Sequence, residues 1–177
     1  MSLPFDARMI VTLLFVTLCC AVDLRAGRIP NVLSGTAVIV GLWLGVLKGG
    51  VSGLIASAVG ALFVGAILLL PFSLGGIGAG DVKMMAALGA LLGTRVALVG
   101  LLVGMAFGGV IAVVYLLYRG RLSEKLTATR RRALAAVITR SLAPLKMSAG
   151  DADAIALPYS LPLAVGTLVS IAALGVP

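Results

Sequence analysis

The sequence predicts an all-α fold: a polytopic membrane protein built as a bundle of about six transmembrane helices, in a single domain over residues 1–177. Three observations lead there. The chain is 61% hydrophobic and 11% charged, a balance foreign to soluble globular domains. Its apolar residues form continuous runs rather than alternating ten-residue segments, and aromatics make up only 5%, which sets a β-barrel aside. Its charges are also sorted along the chain, with most basic residues falling in alternate breaks between the runs.

The first run, 5–22, reads as a retained helix. Asp6 offsets Arg8 ahead of it, and Asp23 and Arg25 follow it where a cleaved signal would have small residues. Pro30 and Asn31 set a turn and the entry to a second helix, 32–47, which stops at Lys48-Gly49-Gly50. A third helix, 51–72, ends near Pro71. The following stretch, 75–80, reads GGIGAG and is too rich in glycine for a stable helix, so it is expected to be a loop.

The stretch 82–118 is too long for one crossing. As a helix it would reach about 55 Å against about 30 Å of hydrocarbon. Gly93-Thr94-Arg95 is the natural break, giving helices over 82–93 and 96–118. The former is short for a span, so either it begins inside the glycine loop or the bilayer thins around it. Residues 119–154 are polar and basic, and 155–175 form the last helix. Within 121–146, Leu122, Leu126, Leu134, Val137, Ile138 and Leu142 alternate with basic residues. That pattern fits an amphipathic helix on the cytoplasmic surface or a solvated basic loop, and the sequence leaves both open.

Sidedness follows from the charges. If the first helix runs outside to inside, 11 basic residues lie inside or at that membrane edge, from Arg25 and Arg28 through Lys83 to the run between Arg119 and Lys146. Three lie outside: Arg8, Lys48 and Arg95. The positive-inside rule selects this orientation and places both termini outside. The net charge of +8 then marks cytoplasmic loops and contact with anionic lipid rather than with nucleic acid. Histidine is absent, which removes Ser-His and Cys-His nucleophile pairs and His-ligated metals. The adjacent Cys19 and Cys20 lie inside the first run and are expected to pack. Glycines at four-residue spacing, such as Gly100, Gly104 and Gly108, are expected to bring helices of the same chain together.

Two of the six acidic residues carry the functional signal. Asp23 follows the first run and Asp81 follows the third. A carboxylate beside hydrocarbon costs about 2.5–3.5 kcal/mol at a helix centre. Two crossings separate the pair, and an even number returns the chain to the same face. Two nearby carboxylates share a proton: one can take a proton from water while the other donates to a carbonyl oxygen. That is peptide hydrolysis without a covalent intermediate. Gly75, Gly76, Gly78 and Gly80 would let an extended substrate backbone approach Asp81. A phosphate cradle does not fit, because no GK[ST] follows. Singly, Asp23 could pair with Arg25 or Arg28, and Asp81 could cap a helix. Together, on one face and beside this loop, they point to function.

DLRAGRIPN at 23–31, GGIGAGDVKMMAALGALLG at 75–93 and LPYSLPLAVG at 157–166 resemble, in order and spacing, the type IV prepilin peptidase family of GxGD membrane aspartyl proteases. The resemblance implies a multi-pass aspartic endopeptidase of the bacterial inner (cytoplasmic) membrane, with Asp23 and Asp81 as the catalytic pair. It also implies type IV prepilin or pseudopilin substrates, whose short basic leaders are removed at the cytoplasmic face, typically after glycine and before an apolar helix. Gly78, Gly80, Lys83, Pro30, Asn31 and Pro158 would bind substrate or shape the site. Lys83 either tunes Asp81 or anchors its helix at the interface, and both remain open. Pro158 and Pro162 either bend the last helix near the site or are simply tolerated there.

Bifunctional members of that family carry an extra cysteine-rich zinc region and N-methylate the new terminus. This sequence resembles the short, peptidase-only branch that serves tight-adherence (Flp-type) pili, so methyl transfer is not expected, nor is a metal or organic cofactor. Archaeal preflagellin peptidases share the dyad. The rival reading is a small proton-coupled transporter or channel subunit using the same aspartates. It would put them near the bilayer midplane, whereas the sequence puts them at helix ends.

Overall fold

The computed structural model describes residues 5–120, 122–139 and 159–175. Among them every regular element is helical: α1 (Phe5–Ala26), α2 (Asn31–Ser73), α3 (Ala79–Tyr118), α4 (Leu122–Thr139) and α5 (Ser160–Leu174). The first three are long and apolar enough to cross a membrane, and α5 is a shorter apolar helix.

Both long helices are broken where the sequence places the breaks. Gly49 and Gly50 leave helical geometry in α2, with φ 58° and ψ −135° at Gly50, and Gly93 leaves it in α3 with φ 73° and ψ 170°. Positive φ is cheap for glycine and for no other residue. We call the halves α2a (31–48) and α2b (51–73), α3a (79–92) and α3b (94–118).

Gly45 and Gly53 touch backbone to backbone, and a Cβ on Gly45 would also meet the Ser57 side chain. In a straight helix residues eight apart are about 12 Å apart, so α2 folds back on itself as a hairpin. Further close approaches set the other directions. Gly60 meets Gly89 and Gly65 faces Ala86, so α2b runs antiparallel to α3a. Gly41 packs on Ala90, so α2a runs parallel to α3a. Gly100 lies against Thr167, Gly104 against Leu163 and Gly108 against Pro162, which makes α3b and α5 antiparallel. The Ser170 hydroxyl closes the far end of that pair, donating to the Val96 carbonyl at 2.6 Å. The four-residue glycine spacing therefore serves contacts within the chain.

The core centres on α3a. Met84, Met85, Leu88, Leu91 and Leu92 are fully buried, with Val64 and Leu68 from α2b against them. Apolar residues all round a helix are what a central position requires. α1 sits at the edge, burying Thr12, Phe15, Val16 and Cys19 and exposing Ile10, Leu14 and Leu18.

Boundaries differ from expectation at four places. α1 runs to Ala26 rather than to residue 22, so Asp23 stands in its last turn. The helix ends where Gly27 adopts φ 63° and its N–H donates to the Asp23 carbonyl at 2.8 Å. α2 ends at Ser73, one residue beyond the expected 72, with Pro71 in its last turn. α3 starts at Ala79, inside the glycine run, which lengthens its short first half. α5 starts at Ser160 rather than at 155, and 155–158 lie outside the described residues. Leu122–Thr139 of the basic segment is helical, with Leu126, Leu134, Ile138, Arg130 and Arg131 all exposed. The remainder of that segment, including Arg140, Leu142 and Lys146, lies outside the described residues.

Candidate active site

The C-terminus of α1 and the N-termini of α2, α3 and α5 share one end of the bundle. Each brings a polar side chain or a tight turn to it.

Asp81 is the third residue of α3 and is 8% exposed. Gly78 occupies the N-cap position in extended geometry and makes no side-chain cap. Asp81 is therefore not the cap that a helix-end aspartate would suggest. Its carboxylate turns back instead to accept the Gly78 backbone N–H, while its own N–H donates to the Gly78 carbonyl at 3.2 Å. This is the reach of an acidic residue at that position in a capping box. A Cβ on Gly78 would sit a tight 3.3 Å from Asp81 Oδ2.

Asp23 approaches from α1 and is half-buried. Its Oδ2 accepts a hydrogen bond of 2.6 Å from the Ser160 hydroxyl, at the first residue of α5. The Cys20 thiol, one turn earlier on α1, leans on the Ser160 carbonyl at 3.6 Å. Asp23 and Asp81 lie within direct electrostatic reach of each other, although 58 positions separate them in the chain.

The connection between α1 and α2 seals one side. Ile29 is 5% exposed. It packs so closely on Gly80 that a Cβ there would lie 3.4 Å from three of its atoms. Pro30 is the extended N-cap residue of α2, and Asn31 Oδ1 accepts a 2.6 Å hydrogen bond from Lys83 Nζ. The lysine thus ties the start of α2 to the start of α3. Of the sequence-predicted set, the fold gathers Asp23, Asp81, Pro30, Asn31, Gly78, Gly80 and Lys83. Pro158 lies outside the described residues. Pro162 is present in α5 and packs against Gly108.

Ser160 is the residue that sequence reasoning missed. A signal existed, because LPYSLPLAVG puts a lone hydroxyl at the start of an apolar helix returning to this face. A serine among prolines and leucines does not advertise its partner, however.

Chemically, this end offers two carboxyls within electrostatic reach of each other, one accepting from a hydroxyl and one from a backbone amide. Among the described residues no group of three or more histidine, cysteine or acidic side chains is assembled as for a metal.

Residues 10–113 match the model of a family described as the type IV leader peptidase family. The matched stretch contains both aspartates, the 27–31 connection and the glycine run, and it stops short of Ser160. No curated protein and no solved structure matches the chain.

Proposed function

The chain belongs to the type IV leader peptidase family, and from that premise we propose that it is an aspartic endopeptidase removing the short basic leader of type IV, Flp-like prepilins at the cytoplasmic face of the inner membrane. One observation supports the reading above others: two carboxyls distant in sequence lie within electrostatic reach at one end of a helical bundle.

The chemistry is a single addition and collapse. The ionised carboxylate takes a proton from water as the water oxygen bonds to the scissile carbonyl carbon, and the protonated carboxyl gives its proton to the carbonyl oxygen. Collapse re-forms the carbonyl, breaks the C–N bond and passes a proton to the leaving amine. The pair is left again with one proton. Glycines at 75–80 give an extended substrate backbone room beside Asp81. The leader would enter extended, because a closed helix hides the scissile bond, while the prepilin's apolar helix stays in the bilayer and docks laterally.

In this reading the six apolar segments, α1, α2a, α2b, α3a, α3b and α5, each cross the membrane. The aspartates lie at the cytoplasmic edge, both termini lie outside, and α4 rests on the anionic lipid surface. The charge distribution supports that orientation.

The test is co-expression with a prepilin of the same genome, followed by mass spectrometry, for wild type, Asp23→Asn and Asp81→Asn. Leader loss in wild type and in neither variant is expected, with a product mass lacking a methyl group. Leader loss with both well-expressed variants would overturn the aspartyl mechanism.

A further inference from the structure

Asp23 has an unusual problem for a residue in a catalytic role. The helix that carries it buries only Thr12, Phe15, Val16 and Cys19, with Met9, Val11 and Cys20 half-buried beside them, and leaves its opposite face exposed. Stripe packing leaves a helix end free to tilt, and a small tilt at the last turn moves a carboxyl by a distance that matters to catalysis. Asp81 needs no such help, because its helix is buried nearly all round and its carboxylate is held by its own first turn.

We propose that Ser160 is the positioning residue for Asp23, its hydroxyl holding Oδ2 so that the carboxyl carried by a loosely packed helix keeps one orientation toward Asp81. The inference rests on the reading of Asp23 as catalytic. Three features carry it. The hydroxyl is fully buried (0% exposed), and at 2.6 Å it makes a short, well-formed hydrogen bond. It belongs to an element far from Asp23 in sequence, so the bond joins α1 to the bundle rather than closing a local turn. The element behind it is itself fixed: Leu163 and Thr167 of α5 lie against Gly104 and Gly100 of α3b, and Ser170 is bonded to Val96. Ser160 is thus a fixed point offered to a less fixed helix.

The same arrangement explains the second contact between the two helices. The Cys20 thiol reaches the Ser160 carbonyl, not its hydroxyl, so removing the hydroxyl leaves that packing in place and isolates the bond to Asp23.

The test is steady-state cleavage of a full-length prepilin by the purified enzyme in proteoliposomes. The variants are Ser160→Ala, Ser160→Thr, Ser160→Cys and Asp23→Asn, each checked for monodispersity and thermal unfolding against wild type. Ser160→Ala is expected to lower kcat by about tenfold to a hundredfold, the scale of a small misplacement of a reacting group, with KM within about twofold because no substrate contact is removed. Ser160→Thr keeps the hydroxyl and Ser160→Cys keeps a weak donor, so at least one of them should recover most of the loss. Wild-type kcat in Ser160→Ala, alongside an inactive Asp23→Asn, would overturn the positioning role while leaving the dyad standing. Equal losses in all three Ser160 variants, or a loss confined to KM, would also overturn it, since space rather than the hydroxyl would then be what matters. An active Asp23→Asn would instead remove the catalytic reading on which the inference rests.

Discussion

From Met84 to Leu92 the helix carrying Asp81 buries every residue except Ala86, whereas the helix carrying Asp23 buries only Thr12, Phe15, Val16 and Cys19 along its described length. Both helices are strongly apolar. The difference comes from small residues. Gly89 and Ala90 let α3a approach Gly60 and Gly41 backbone to backbone, and such approach is what drives association where lipid is as apolar as leucine. α1 has no glycine along its length, so no such backbone-to-backbone approach is open to it. A membrane enzyme can therefore hold one reacting group by packing, but a group on a peripheral helix needs polar contacts such as the one Ser160 supplies. In the proposed reading, Asp81 is held on a buried helix and Asp23 by a hydrogen bond from α5.

The hardest test of that comparison is functional equality despite unequal packing. Asp23→Asn and Asp81→Asn should each lower kcat/KM for prepilin cleavage at least about a thousandfold, the loss typical of a required acid–base partner, with yields and thermal unfolding near wild type. If either variant kept a tenth of wild-type activity, the two aspartates would not form a pair.

A second test concerns packing alone. Leu88 on α3a is fully buried, while Leu14 on α1 is 59% exposed. Leu88→Ala is expected to destabilise the protein by about 2–5 kcal/mol, and Leu14→Ala by less than about 0.5 kcal/mol. Unfolding midpoints in one detergent would measure both. Equal shifts would mean that α1 is packed as tightly as α3a and needs no hydroxyl to hold it.

What the sequence made legible divides along the same line. Gly49-Gly50 and Gly93 were readable as breaks, because a glycine in an overlong apolar run is the cheapest place for a chain to reverse. The approach of Asp23 to Asp81 was readable because carboxylates beside hydrocarbon are costly and because two apolar runs between them return the chain to the same end of the bundle. The extension of α1 through Ala26 was missed, since the charged Asp23 and Arg25 end the apolar run, while Leu24, Arg25 and Ala26 are all good helix formers, and hydropathy ends a run before the helix ends. The centrality of α3a was also missed. In a membrane chain an apolar stretch reads the same whether it faces lipid or protein. Ser160 was missed for a related reason, because a hydrogen bond between segments 137 positions apart leaves no periodic trace.

The smallest expected effect falls on the bridge between the halves at the site's rim. Lys83 Nζ and Asn31 Oδ1 are 2.6 Å apart in an exposed setting, where one hydrogen bond contributes about 0.5–1.5 kcal/mol, or about two- to tenfold in kcat/KM if all of it is expressed in catalysis. Lys83→Met and Asn31→Ala should each lower kcat/KM within that range, and the double variant should be no worse than the poorer single one, because both remove the same bond. Additive losses would show that Lys83 has a second task that Asn31 does not share. Asp81 stands two residues before it, so that task would fall on the α3 side of the site, where the carboxylate is already held by its own helix, and the division into a self-sufficient α3 and a tethered α1 would have to be redrawn.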